Sequence, residues 1–469
     1  MKLTNNFQEN TGIVEAAIGF NKSYDIGRRE IKIFEKGINI YFLTGMVDNQ
    51  NMIEIMSSIL AIPRTKEYSF DLIYENLAHH NLTLIEDLNE IIYNILNGMA
   101  VIILEDSLKA ISLDVRSYPN RSISEPDMEK VIRGSHDGFN ENFHMNIQLL
   151  RRRIKDTRLR NKLFQIGNES PTYVCLTYLE GVCDDYLLSK VQERIKTVET
   201  EHLIMTDKGL EELMIRRKKL NPYPLVRYTE RADTVAVHLY QGMFAIFVDS
   251  SPSVILAPCT IFDHMMHFEE YRQTPTSGTY LRWIRFLGIF ISIFLTPIWL
   301  ILVSNAALPG VLEILAPSAE VKANIYLQII AAEIGVEFLR LASIHTPNSL
   351  STSMSLIAGF LLGDFAVNVG LFSIQTVLLV AVSAIGTYLT PSYELGLANK
   401  ITKLIFILAV LLGNWYGFVI AFLLWLTYLI RLKSFGKPYL FPLFPLNFKR
   451  LMKVLIRFPF DNKSMKNKE

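Results

Sequence analysis

Apolar and polar positions change their pattern near Trp283. Before it, short β-rich runs such as Ile38 to Phe42 and Thr172 to Thr177 alternate with helical patterns rich in charge, as in a soluble α/β protein. After it come apolar runs of the length that a membrane span needs, about 20 residues. Ile284 to Ser304 is one such run, interrupted only by Pro297. Leu356 to Phe372 and Gln375 to Leu389 predict two more, joined by a turn short enough for a hairpin. Leu404 to Ile430 carries Gly413 through Gly417 in its middle and predicts either one long broken helix or two short ones. Ile325 to Ser343 has the period of a helix but includes Glu333, Glu337 and Arg340. Such charges are costly against lipid and tolerable at a protein interface, in a wet cavity or on the membrane surface. Four or six crossings follow.

The soluble part repeats itself. FLTGMVDN, Phe42 to Asn49, recurs as YLEGVCDD, Tyr178 to Asp185, and NGMAVI from Asn97 recurs as QGMFAI from Gln241. Each of the first pair follows a β-rich run and precedes a helical pattern, and each of the second opens a strand, so two copies of one unit are expected. The predicted fold is therefore an α/β soluble N-terminal region of two similar α/β subdomains, followed by an α-helical multi-pass membrane domain. In residues, 1–135 is the first cytoplasmic subdomain, 136–165 a basic linker helix, 166–278 the second subdomain, 279–432 the membrane domain and 433–469 a basic cytoplasmic tail. The linker helix places Leu149, Leu150, Ile154 and Leu159 on an apolar side and Arg151, Arg152, Arg153 and Lys155 on a solvated cationic one.

Net charge, +1 over 469 residues, averages two unlike regions. The local sign carries more information. Arg431, Lys433, Lys437, Lys449, Arg450, Lys453 and Arg457 follow the last apolar run with no acid before Asp461, and Arg272, Arg282 and Arg285 precede the first. By the positive-inside rule both termini are expected in the cytoplasm, with an even number of crossings between them. Met1 to Lys22 has no signal-peptide core, and Cys175, Cys183 and Cys259 form no CxxC pair, which fits a reducing compartment.

Candidate chemistry is sparse in the soluble part. Phosphate-binding glycine loops and nucleophile elbows are missing from the sequence, and His264 and His267 lack a third metal ligand, so no cofactor and no metal are expected. The basic helix comes without a recognition fold or aromatic platform, and no nucleic acid is expected as a partner. No nucleophile, base and electrophile come together as an enzyme requires. Polar residues at membrane depth are the stronger candidates. Asp364 lies one turn from Asn368 and beside Gly363; it either faces a pore, where a ring of carboxylates from several subunits attracts cations, or is neutralised, for example by Arg340. Glu333 and Glu337 share one helical face and repel unless hydrated or countered. Glu394 follows Pro391 at a helix break and serves either solvent and ions or a cap.

Six segments carry a resemblance across nearly the whole chain: RSISEP from Arg121, IRGSHDGF from Ile132, NIQLLRRR from Asn146, EEYR from Glu269, PSYEL from Pro391 and LKSFGKPY from Leu432. Together they resemble the A subunits of spore germination proteins, the GerA family. Within it, NPYPLVRYTER from Asn221, EYRQTP from Glu270 and AIGTY from Ala384 are more similar to the stage V sporulation branch than to the nutrient-receptor A subunits. The resemblance implies a multi-pass protein of the spore inner membrane that self-associates into a ring, conducts monovalent cations and works beside other germination membrane proteins. Nutrients bind a separate subunit in the receptor members, so no nutrient pocket is expected. A nutrient-receptor A subunit and a scaffold or signalling subunit that conducts nothing are the alternatives.

Overall fold

The computed structural model describes residues 1–63, 68–117, 137–215, 220–305, 310–317, 321, 323–345, 359 and 361–459. RSISEP from Arg121 and most of IRGSHDGF from Ile132 lie outside the described residues, as do 356–358 and 360 of the run from Leu356. The chain forms two compact units, one of Met1–Lys218 with Val226–Pro258, the other of Lys219–Leu225 with Cys259–Ser464. The break falls some way before the 278/279 boundary expected from hydropathy.

The first unit contains two five-stranded sheets. Helix α1 (Phe7–Ile18) leads into strands β1 (Ile26–Ile33) and β2 (Lys36–Leu43), helices α2 (Asn49–Leu60) and α3 (Phe70–Asn76), β3 (Leu82–Ile85), α4 (Leu88–Leu96), β4 (Ala100–Leu104) and β5 (Ala110–Leu113). The second sheet repeats that order: α5 (Phe143–Arg153), β6 (Leu159–Ile166), β7 (Thr172–Leu179), α6 (Asp185–Lys196), α7 (Thr206–Met214), β8 (Arg227–Thr229), α8 (Ala232–Tyr240), β9 (Phe244–Val248) and β10 (Val254–Ala257). Spatial order is β1-β2-β4-β5-β3 in one and β6-β7-β9-β10-β8 in the other, with antiparallel pairing throughout.

Local chemistry explains the shared topology. Gly45 and Gly181 take φ of 84° and 73°, a left-handed turn that glycine enters without a Cβ penalty. Asp48 and Asp184 then cap the following helices by accepting hydrogen bonds from Asn51 N, and from Tyr186 N and Leu187 N. Strand β4 is buried at every position because helices cover both faces of its sheet. Ile102 and Leu104 pack with Met52, Ile55 and Ile73 of α2 and α3, while Val101 and Ile103 pack with Val14, Ile91 and Ile95 of α1 and α4.

The stretch 136–165 differs from the linker helix expected there. It holds α5, whose Phe143, Ile147 and Leu150 enter the core of the second sheet, and β6, the first strand of that sheet. In the same way that Asn10 bonds the backbone of Thr4 ahead of α1, Asn146 bonds the backbone of Asn140 ahead of α5, so the second copy starts well before residue 166. Arg151, expected on a solvated side, is buried. Its Nε lies 2.9 Å from Oδ2 of Asp25, and its Nη2 reaches Asp25 Oδ1 at 3.2 Å. The pair ties α5 to the chain just ahead of β1, and a buried guanidinium needs such a partner.

In the second unit α9 (Ile261–Met265) and α10 (Glu269–Arg272) precede α11 (Pro275–Ser304), α12 (Ile325–His345), α13 (Ala366–Asn368), α14 (Ile374–Tyr388), α15 (Tyr393–Arg431) and α16 (Phe448–Leu455). Two of these, α11 and α15, are long and apolar enough to cross a membrane by length and composition. Pro297 is accommodated inside α11, buried. Gly386 of α14 approaches α11 so closely that an added Cβ would stand 2.3 Å from Gly288 O, the close backbone approach that small residues permit between apolar helices.

Helix α15 is broken at Asn414, where φ is 47° and ψ −129°. On a straight helix Phe406 and Trp425 would stand about 28 Å apart at 1.5 Å per residue. Their ring centroids are 5.8 Å apart, so residues 393–413 and 415–431 fold back on each other as a hairpin. Of the alternatives for Leu404 to Ile430, two short helices is the arrangement found, and the first begins earlier, at Tyr393.

Two outcomes test these readings. Asp25→Asn should cost about 3 to 5 kcal/mol by stranding the Arg151 charge, measured as a lowered denaturation midpoint of the full-length protein. Burial alone would raise the Asp25 pKa, but the Arg151 charge and hydrogen bonds from Arg151, Asn161 and Ser23 outweigh it and hold the carboxyl below the usual carboxylate range. Its contribution is thus present above the unfolded value of about 3.9 and lost as pH falls through the lower folded value, an acid-side loss that the variant should lack. In the hairpin, an added Cβ at Gly417 would lie 2.0 Å from Ala409 O. Gly417→Ala should therefore destabilise the helical unit by about 1 to 3 kcal/mol, read as a lower melting temperature in detergent.

Candidate functional site

Charges inside the helical unit are arranged as a ladder between α12 and the first half of α15. Residues i and i+4 of a helix share a face, which brings Glu333 and Glu337 to one side of α12, and i, i+3 spacing does the same for Lys400 and Lys403 on α15. Lys403 Nζ lies 2.6 Å from both carboxylate oxygens of Glu333 and 3.1 Å from Ser383 Oγ. Its side chain is 2 % exposed and that of Glu333 11 %. Glu337 is shared by Lys400 and Arg340, and the Arg340 guanidinium lies 5.0 Å from the Tyr393 ring centroid. The repulsion expected between the two glutamates is thus cancelled by cations of another helix. Sequence reasoning gave Lys400 and Lys403 no role, although their spacing places both on one face of α15.

Asp364 belongs to a different environment. It lies on a single π-helical turn, Leu361–Phe365, which runs into α13, and it is exposed together with Asn368. Phe365, Val369 and Leu371 are exposed beside it. Among the described residues, no hydrogen bond or ion pair reaches the Asp364 carboxylate. Arg340, the partner considered for it, is taken by Glu337. Among the described residues, nothing lies within 4 Å of the position a Cβ would take on Gly363. Glu394 accepts a hydrogen bond from Ser392 Oγ at 3.0 Å in the first turn of α15, where Ser392 caps by accepting from Leu395 N. An acid there favours the positive end of the helix.

Two further groups escaped sequence reasoning. Asn221 and Tyr223, of the NPYP segment, clamp the α15 hairpin: Tyr223 OH lies 2.7 Å from Thr402 Oγ1, Trp425 Nε1 donates to Tyr223 OH at 2.7 Å, and Tyr428 OH donates to Asn221 at 2.7 Å. Arg282 and Arg285, expected as positive-inside charges ahead of the first apolar run, both pair with buried Glu270. Arg282 also donates to Lys453 O and Val454 O, and Trp283 Nε1 to Leu455 O, so the chain beyond α15 returns to the start of α11. His264, weighed as a metal ligand, has its Nε2 3.3 Å from Cys259 Sγ. In the first unit a cavity of about 260 Å³ is lined by Tyr24, Asp25, Gly45, His144, Gln148 and Arg151 among others.

A duplicated antiparallel α/β module followed by an apolar helical unit with internally paired charges defines the class of protein. Comparison with known proteins places it more narrowly. The family described as Bacillus/Clostridium GerA spore germination protein matches residues 16–469. Stage V sporulation protein AF of Bacillus subtilis (strain 168) is 43 % identical over 444 residues, covering 94 % of this chain and 90 % of that one. Spore germination protein A1 of the same organism is 30 % identical over 438 residues, 92 % of this chain and 90 % of its own length. Among solved structures, the N-terminal domain of the A subunit of the Bacillus megaterium spore germinant receptor GerK3 matches with a TM-score of 0.43 and 25 % identity, over 55 % of this chain and 96 % of that one. The chain belongs to the GerA family and is a spore germination protein of the A-subunit type, as its motifs indicated.

The ladder makes its own prediction. Lys403→Met should lower the melting temperature of the detergent-solubilised protein more than the double variant Glu333→Gln, Lys403→Met, because the single change strands a buried carboxylate. A double-mutant cycle should give a coupling of about 0.5 to 3 kcal/mol, and additive effects would mean that the two groups do not interact.

Proposed function

We propose that the protein is one subunit of an oligomeric cation-conducting assembly in the spore inner membrane, which contributes to or amplifies ion release during germination. The observation that carries this reading is the contrast among the acids of the helical unit. Glu333 and Glu337 are spent on Lys403, Lys400 and Arg340, and Glu394 sits in a cap, whereas the Asp364 carboxylate stands on the surface of a single chain among exposed apolar residues. A carboxylate facing hydrocarbon is expensive, and copies of the chain set round a wet path would supply what it lacks. Gly363 and Asn368 then line the path beside it. Sequence identity to the stage V relative supports a role in amplification, and the α/β module is the part that assembles subunits into a ring.

In this reading α11, α12, the segment around Asp364, α14 and the two halves of α15 are six crossings, with both termini in the cytoplasm. The return of residues 453–457 to the start of α11 supports an even number. One observation favours a non-conducting scaffold instead: the charge ladder is neutralised internally, as a purely structural element would be.

Potassium release from germinating spores carrying Asp364→Asn decides between them. Slower release with unchanged protein level and native oligomer size is the expected result. Release equal to that of the unaltered protein would remove Asp364 from the path and leave the scaffold.

A further inference from the structure

We propose that α16 is an in-plane anchor whose apolar face enters the headgroup boundary of an anionic leaflet and whose cationic face holds lipid phosphates. This rests on the membrane reading above but concerns a segment outside the crossings.

At about 100° per residue, Phe448, Leu451, Met452 and Leu455 fall on one side of α16, while Lys449, Arg450 and Lys453 fall on the opposite side. Helices divided in this way, with basic residues on the polar face, lie in the membrane interface. No acidic residue occurs between Glu394 and Asp461, so nothing in the segment opposes an anionic surface. The apolar side is continuous with the loop before it: Phe448 is 69 % exposed, Leu446 68 % and Phe444 52 %. The last-turn carbonyls of α16, which a helix leaves without internal partners, accept from Arg282 and Trp283. That pins the helix to the start of α11, where Tyr280 and Trp283 are exposed as the aromatic residues of an interface belt are. Charge complementarity selects anionic lipid as the occupant, since basic residues beside a span are drawn to the negative cytoplasmic leaflet. Arg457 takes no part; it is buried and donates to Tyr271 O.

Full-length protein in lipid nanodiscs containing phosphatidylglycerol provides the test. Single cysteines replace Phe448, Lys449 or, as a reference on the outer side of α11, Leu287, each carrying a fluorescent probe. The native thiols are all buried, and burial pushes that of Cys183 up to about 12, so labelling goes to the introduced sites. Probes at 448 and 287 should be quenched by brominated lipid and the probe at 449 by aqueous iodide. Combining Phe448→Cys with Lys449→Glu, Arg450→Glu and Lys453→Glu should shift the 448 probe from lipid to iodide quenching without affecting 287. Iodide quenching at 448 equal to that at 449, with 287 still in lipid, overturns the anchor alone; iodide quenching at 287 overturns the membrane reading. Lipid quenching at 448 that survives the charge reversal, or discs of phosphatidylcholine only, overturns the assignment to anionic lipid. Protection from both quenchers with 448-to-448 crosslinking would make the face a contact between copies.

Discussion

A charge withdrawn from water must meet an opposite charge, and that constraint shapes both units of this chain. Asp25 and Arg151 join the start of the first sheet to the helix of the second copy, so the duplication is held by an ion pair as well as by its apolar cores. Glu270 gathers Arg282 and Arg285 ahead of the long apolar helices. Glu333 and Glu337 meet Lys403 and Lys400 between two helices that offer few other polar contacts. A pair of this kind adds little net stability compared with apolar packing, but it makes misplacement of either helix costly, because a slip by one residue strands both charges.

What could be read in advance follows from where each signal resides. The two α/β copies were visible because their turns need glycine at positive φ and an aspartate cap, chemistry written into a few adjacent residues. The start of the second copy was not, because three consecutive arginines made α5 look like a solvated linker. Arg151 is buried by Asp25, a residue far away in sequence, and no local pattern announces such a partner. Likewise the run from Gly413 to Gly417 marked a break, but only the contact of Phe406 with Trp425 shows that the chain turns back there. Glu333, Glu337 and Arg340 stood out as charges in an apolar helix, and their partners on α15 did not, since pairing across helices depends on packing.

The pairing of Glu333 and Glu337 with cations sharpens the contrast with Asp364. Had Arg340 met Asp364, that carboxylate would have had a structural partner within the single chain. Arg340 instead completes Glu337, together with Lys400. The π-helical turn that presents Asp364 also presents Phe365 and is followed by exposed Val369 and Leu371, so carboxylate and apolar side chains share one surface. Such a mixture is poorly suited to lipid alone or to water alone. In the proposed assembly, neighbouring copies would cover the apolar residues and leave the carboxylates round a hydrated path.

The ends of the helical unit constrain the same picture independently. Trp283 and Arg282, at the start of α11, bond the carbonyls of residues 453 to 455, so the chain enters and leaves the apolar helices at one end. A chain that starts and finishes on one side of a bilayer crosses it an even number of times. On the proposed membrane reading, turning α15 back at Asn414 adds one crossing to those of α11, α12 and α14. With α15 counted twice these make five, and on that reading an even number would include the segment around Asp364. A crossing segment whose carboxylate meets no opposite charge among the described residues would need water beside it, as the proposed conducting path supplies.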